Sequence, residues 1–235
     1  MPRSPERPDL ARAVLQRTTQ VLALHTIWMT LFFLSAGTVH YAPAWVYLGL
    51  GLALLVVNYL LVLPRNPEVI IARSRGGAGT KAFDRWFGLF FGLSSLGVPV
   101  VAGLDAVRFG WSSPPPSLII LGLALVALGN APVVAAMIVN PHLEKTVRIQ
   151  RERGHEVIET GPYALVRHPM YVGVALQHLA QPLALGSLWA FAPALAAVAC
   201  LVVRTALEDR TLRAELPGYE AYTHRTRARL VPGVW

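Results

Sequence analysis

The chain has a single cysteine, Cys200, in 235 residues. That excludes an internal disulfide framework and a cysteine-built zinc site. Charge is scarce as well. Asp, Glu, Lys and Arg make up 14% of the chain, whereas a soluble domain carries about 25%. So few charges cannot cover a water-facing surface. With 54% apolar residues, disorder is excluded too, because it needs low hydrophobicity. Acids are the scarcer sign, 13 against 21 basic residues, for a net charge of +8. In a membrane chain such an excess sits in loops and fixes orientation, so no nucleic-acid partner is expected. Common cofactor motifs are also missing. No G-x-G-x-x-G follows a strand, and there is no G-x-x-x-x-G-K-[ST] and no H-E-x-x-H. The cluster Arg75-Gly76-Gly77-Ala78-Gly79 falls between apolar runs and lacks that context. His142 and His155 have no third ligand at metal spacing, so no metal is expected.

Long apolar runs are what the chain does have. A helix spanning the bilayer needs about 20 apolar residues. Residues 18–40, 43–63, 86–107 and 117–139 qualify, and Asn130 and Pro132 predict a kink in the fourth. Residues 170–185 are a shorter run, Gly186-Ser187 is a turn, and residues 188–216 outrun the bilayer at their charged end. The fold class is therefore an all-α integral membrane protein of about six membrane helices, four spans plus a C-terminal helical hairpin. One polytopic domain, 1–235, is expected, with no repeat.

Basic residues sort by loop. The tail before the first run holds Arg3, Arg7, Arg12 and Arg17, and the next loops on that side carry Arg65, Arg73, Arg75, Lys81 and Arg85, then Lys145, Arg148, Arg151, Arg153 and Arg167. Six more follow from Arg204 onward, so alternate segments hold 20 basic residues against Arg108 alone. The positive-inside rule places both termini in the cytoplasm. The N-terminal run has no small-residue cleavage site and reads as a membrane helix rather than a cleaved signal.

Two cytoplasmic segments are dense in ionisable residues, and the hairpin brings them together. The first reads VRIQRERGHEVIETGPYALVRHPMYVG. Residues 147–149 and 156–158 are candidate extended pieces. Pro169 suits the first turn of a helix, where its missing N–H costs nothing, and His168 then sits at the cap. Tyr171, His178 and Gln181 share one face, with Gln177 nearby, either as interhelical hydrogen bonds or as a cavity lining. Arg167 reads as snorkelling toward water. The second segment carries Arg204 and Glu208, which are i,i+4 and share a helix face. They are either a surface ion pair or a site in which a cation holds an anionic substrate and a carboxylate holds a cofactor. Tyr219 and Tyr222 form an aromatic face, and Arg225, Arg227 and Arg229 suit anionic lipid headgroups.

GPYALVRHPMYVG, followed by Glu208-Asp209 with Leu212 and then by Tyr219 and Tyr222, resembles the isoprenylcysteine carboxyl methyltransferase family, which is related to the membrane phospholipid methyltransferases. The resemblance covers residues 140–235, with weaker support from NPEVIIARSRGGAGTKAFDRW. It implies S-adenosylmethionine as methyl donor, bound without a Rossmann fold in a cytoplasmic pocket. It further implies that Gln150, His155, Glu156, Val157, Ile158, Tyr163, His168, Pro169, Met170, Tyr171 and Glu208 hold the donor. Arg204 matches the family's substrate arginine and is the candidate catalytic residue. Asp209 departs from the pattern, which has Glu there.

A carboxylate acceptor is already ionised and needs no base, and Arg204 could orient it in a two-point contact. The expected acceptor is a lipophilic small molecule or prenylated group entering from the bilayer. The alternatives are a phospholipid amine or a thiol as acceptor, or an NADPH-dependent lipid or sterol reductase. The Ala, Arg and Gly content points to a bacterial inner membrane.

Overall fold

The structure, a computed structural model, describes residues 7–74 and 79–235. Arg3, Arg75, Gly76, Gly77 and Ala78 lie outside the described residues. Eight α-helices follow in order: α1 (Arg7–Ala36), α2 (Ala42–Val62), α3 (Pro67–Ser74), α4 (Ala82–Gly103), α5 (Pro116–Val139), α6 (Pro169–Ala184), α7 (Phe191–Glu215) and α8 (Tyr219–Arg225). Five helical stretches, α1, α2, α4 with its continuation, α5 and α7, are long and apolar enough to cross a membrane. At 16 residues, α6 spans about 24 Å, less than the hydrocarbon core. The hairpin expected from the apolar runs is α6 and α7.

The helices from α1 to α6 that carry the apolar runs start ahead of them, while α7 starts at Phe191, three residues after its run begins. α1 begins at Arg7 rather than residue 18, because polar residues such as Arg12 and Arg17 extend a helix into the interface as readily as apolar ones. α5 runs unbroken through Pro132. At the far end of α4 the chain continues as a π-helical turn, Leu104–Phe109, that carries Asp105. Asp105 is fully buried and accepts hydrogen bonds from Ser112 Oγ (2.8 Å), Ser187 Oγ (2.6 Å) and the Trp189 N–H (3.1 Å). This carboxylate pins the α6–α7 turn against α4. The same turn is held to α2 by the Tyr41 hydroxyl, which donates to the Leu185 carbonyl at 2.9 Å.

Small residues set the helix spacing. A Cβ on Gly173 of α6 would lie 2.3 Å from the Gly129 carbonyl oxygen of α5, and one on Gly122 would lie 2.2 Å from the Ala184 nitrogen. α5 and α6 therefore touch backbone to backbone, the packing that membrane helices reach through small residues. This places the start of α6 beside the end of α5. The expected extended pieces at residues 147–149 and 156–158 are coil, and no strand is present among the described residues. Val147 instead brackets the start of α4, receiving the Lys81 N–H on its carbonyl at 3.1 Å and giving its own N–H to Asp84 at 2.9 Å.

Candidate active site

The segment from Asn140 to His168, the first turn of α6, and the C-terminal part of α7 with α8 enclose a cleft of about 770 Å³, counted to its mouth. Eleven of the twelve residues singled out from sequence line it: Gln150, His155, Glu156, Val157, Ile158, Tyr163, His168, Met170, Tyr171, Arg204 and Glu208. Pro169 does not. It is buried in the first turn of α6, as its missing N–H suits. Gln150 is a wall rather than a free group. Its amide donates to the His142 carbonyl at 2.5 Å and accepts from Arg153 at 2.6 Å. Tyr163 is held at both ends. Asn140 Nδ2 donates to its hydroxyl at 2.9 Å, and its carbonyl accepts from the Tyr222 hydroxyl at 2.7 Å.

The i,i+4 neighbours on α7 do not pair with each other. Glu208 accepts from the Tyr171 hydroxyl at 2.5 Å. Arg204 is buried and reaches Asp84, with Nε–Oδ1 at 2.7 Å and Nη2–Oδ2 at 3.4 Å, while Nη2 also donates to the Lys145 carbonyl at 2.8 Å. Its guanidinium carbon lies 4.4 Å from the Phe87 ring centroid and 5.3 Å from that of Tyr171. The surface ion pair with Glu208 is thus replaced by a buried pair across helices. Nη1 is left for the cleft. Asp84 was missed from sequence because it precedes the apolar run of α4 and looks like an interface charge.

Asp209, one residue after Glu208, faces the other way. It is fully buried, and its carboxylate gathers Arg167 (2.7 Å), Arg229 (3.0 Å), Arg213 (3.3 Å), the Tyr219 hydroxyl (3.0 Å) and His168 (3.6 Å). Arg167 therefore does not snorkel. Its guanidinium is sequestered, and it also donates to the carbonyls of Thr226 (2.8 Å) and Arg227 (2.6 Å). Arg229 also stacks on Trp235, and Arg225 pairs with Glu159 through a 2.9 Å bond, so these two arginines clamp the tail rather than reach for headgroups. The tail in turn closes over the helix start, as the N–H groups of Arg167 and His168 donate to the carbonyls of Ala228 and Arg229. On α6, His178 bonds Ser95 Oγ at 3.0 Å and Gln177 reaches the Val126 carbonyl at 3.4 Å, which is interhelical bonding, while Tyr171 faces the cleft.

Residues 117–215 match a family model described as phospholipid methyltransferase. The solved structure of a eukaryotic intramembrane Ras methyltransferase, isoprenylcysteine carboxyl methyltransferase, matches with a TM-score of 0.50 over 97% of this chain and 98% of that one. Identity is 17%, so this likeness carries the fold alone. No curated protein matches in sequence. The family-model match and the fold likeness together support a membrane methyltransferase.

The matched segment contains the cleft residues from Asn140 to Leu212, and the chain completes the site with elements outside that segment. Asp84 comes from α4, and Tyr219 and Tyr222 from α8. Three wall atoms are buried without a hydrogen-bond partner among the described residues: Thr146 Oγ1, His142 Nδ1 and His168 Nε2, the last 3.6 Å from the Asp209 carboxylate. The His142 and His155 rings lie 4.7 Å apart. Burial, then His142, Arg148 and Arg153, push His155 down to about 4, and burial and Arg153 lower His142. The pair is uncharged at neutral pH.

Proposed function

We propose that this cleft transfers a methyl group from S-adenosylmethionine to a lipophilic acceptor that comes from the bilayer, most favourably a carboxylate. The observation that carries the reading is the placement on α7 of Arg204 and Glu208, one turn apart, with both side chains on the cleft. The residues suit the donor. Glu208 offers a carboxylate to a cationic ligand, the 156–158 strip offers backbone groups without a hydrogen bond among the described residues, and Thr146 and His142 offer unpartnered polar atoms. Bound there, S-adenosylmethionine supplies a methyl on a sulfonium sulfur.

The chain's part is alignment and exclusion of water. Asp84 fixes the Arg204 fork, so Nη1 can hold an acceptor oxygen without rearrangement. Tyr171 orients Glu208. A carboxylate acceptor needs no proton removed. An amine or thiol does, and a histidine held near 4 is a poor base at neutral pH. An NADPH reductase would want free cations at the cleft. Arg148 is committed to Glu144 and Glu152, and Arg153 to Gln150 and Glu68.

The cleft and both termini are assigned to the cytoplasmic side by the sorting of basic residues, in a bacterial inner membrane. Calorimetry in detergent is the test. S-adenosylhomocysteine should bind and NADPH should not, and the reverse result would overturn the reading. Reporter fusions at Tyr41 and Trp235 should show opposite sidedness, and the same side for both would overturn the topology.

A further inference from the structure

A second cavity, of about 1020 Å³ counted to its mouth, is walled by α1, α2, α3, α5 and α6 and lies against the cleft. Leu54, Leu55, Val126 and Val133 supply apolar walls. At one end it meets Arg17 of α1 and Arg73 of α3. Arg73 is the partition between the two spaces, since its Nη1 donates to the Glu144 carbonyl (3.4 Å) and contacts Met170 Sδ (3.6 Å), both on the cleft wall. Lys145 joins the same cluster. Its ammonium donates to Gln20 of α1, and its backbone carbonyl holds Arg204.

No carboxylate lies within ion-pair distance of Arg17, Arg73 or Lys145 among the described residues. The nearby acid Glu144 is spent on Arg148 at 2.7 Å. Arg73 Nε is buried without a partner. Burial, then Arg17 and Arg73, push Lys145 down to about 8, so these cations feel one another. Like charges gathered beside an apolar cavity are costly without an anion. Nothing in the transfer of a methyl to Arg204's acceptor oxygen uses them.

We propose that Arg17, Arg73 and Lys145 form a headgroup site for a lipid bearing a phosphate, with its acyl chain in the α1–α2–α5 cavity beside the transfer site. A phosphate offers several acceptor oxygens to two guanidinium forks and an ammonium. A neutral or zwitterionic headgroup would leave the cluster uncompensated. The site rests on the methyltransferase reading only for its purpose, because a lipid held there is a resident bilayer lipid that shapes the acceptor's path.

The test uses the full chain in nanodiscs of phosphatidylcholine, titrated with spin-labelled phosphatidylglycerol and phosphatidylcholine. Immobilised phosphatidylglycerol should exceed phosphatidylcholine by about ten-fold or more, because each basic residue near a headgroup is worth about 1 kcal/mol. Arg17→Gln with Lys145→Gln should abolish that preference, while S-adenosylhomocysteine affinity stays at the wild-type value. An absent preference, or one that survives the double substitution, overturns the site. Arg73→Gln alone gives a second reading if the double variant does not fold. Radiolabelled S-adenosylmethionine checks the purpose: bound phosphatidylglycerol should stay unlabelled, and label in it overturns the resident role. Loss of S-adenosylhomocysteine binding by the wild type would sink the methyltransferase reading and leave the lipid preference intact.

Discussion

Asp84→Asn is the sharpest perturbation of the site, because it removes a charge and leaves the shape. Asp84 and Arg204 are 5% and 7% exposed, and the carboxylate holds three bonds: Arg204 Nε, Arg204 Nη2 and the Val147 N–H. Removing one partner of a buried pair costs about 3–5 kcal/mol, because the remaining charge has nowhere to go. Asn keeps one carbonyl acceptor, so the lower end, about 3 kcal/mol, is expected. That lowers the thermal midpoint by on the order of 10 °C in a chain of this length. Turnover should fall further than the folded fraction does, because the Arg204 fork is no longer fixed. The companion variant, Asp84→Asn with Arg204→Gln, removes both charges. It should regain much of the midpoint, since no buried charge stays unpaired, yet remain inactive. The assays are a melting curve and single-turnover methyl transfer on the same detergent-purified protein. An Asp84→Asn protein with wild-type midpoint and turnover would refute the pairing argument. A double variant that regains turnover with stability would refute the orienting role of Arg204.

Other expectations follow from the same geometry. Glu208→Gln keeps the Tyr171 contact but loses a charge-assisted bond to the donor, worth about 1.5–3 kcal/mol, so S-adenosylhomocysteine affinity drops roughly ten-fold or more by calorimetry. Arg204→Lys keeps the charge but cannot span both Asp84 oxygens, so it should bind donor normally and lose most turnover. Asp209→Asn leaves Arg167, Arg213 and Arg229 around a neutral group, and limited proteolysis should cut the C-terminal tail that wild type protects. His155 is held near 4, below its ordinary 6.5, so it contributes stability that is complete above pH 6.5 and lost as pH falls toward 4. The melting midpoint should fall across that window, and His155→Asn should flatten the fall.

The membrane architecture is legible because its cause is local. Each span is one continuous apolar run, and α2 and α5 end within a residue of where those runs do. Four of the eleven cleft residues, Tyr163, His168, Met170 and Tyr171, are legible because residues 161–173 carry them in one stretch that ends in a proline-started helix. What is not legible depends on distance along the chain. Asp84 meets Arg204 across 120 positions, and no periodicity links them. The i,i+4 spacing of Arg204 and Glu208 suggests a pair that the structure replaces, since each finds a better-placed partner on another helix. Arg167 and Arg229 look like surface charges only as long as their shared carboxylate is unseen.

Glu208 and Asp209 show how one turn of α7 serves two tasks. Successive helix residues point about 100° apart. Glu208 therefore lines the cleft while Asp209 turns into the cluster of Arg167, Arg213 and Arg229. The shorter acid suits the second task. Asp209 is fully buried, with guanidinium and phenol groups already at hydrogen-bond distance on both oxygens. A longer side chain would push those groups apart in a space that has no slack. Asp at this position thus belongs to the clamp and leaves the cleft-facing carboxylate of Glu208 untouched. Because Arg167 precedes His168 and Pro169, the clamp also sets where α6 begins, and with it the position of Tyr171 against Glu208. The tail from residue 219 onward is therefore part of the cleft's construction, although the family-model match ends at residue 215.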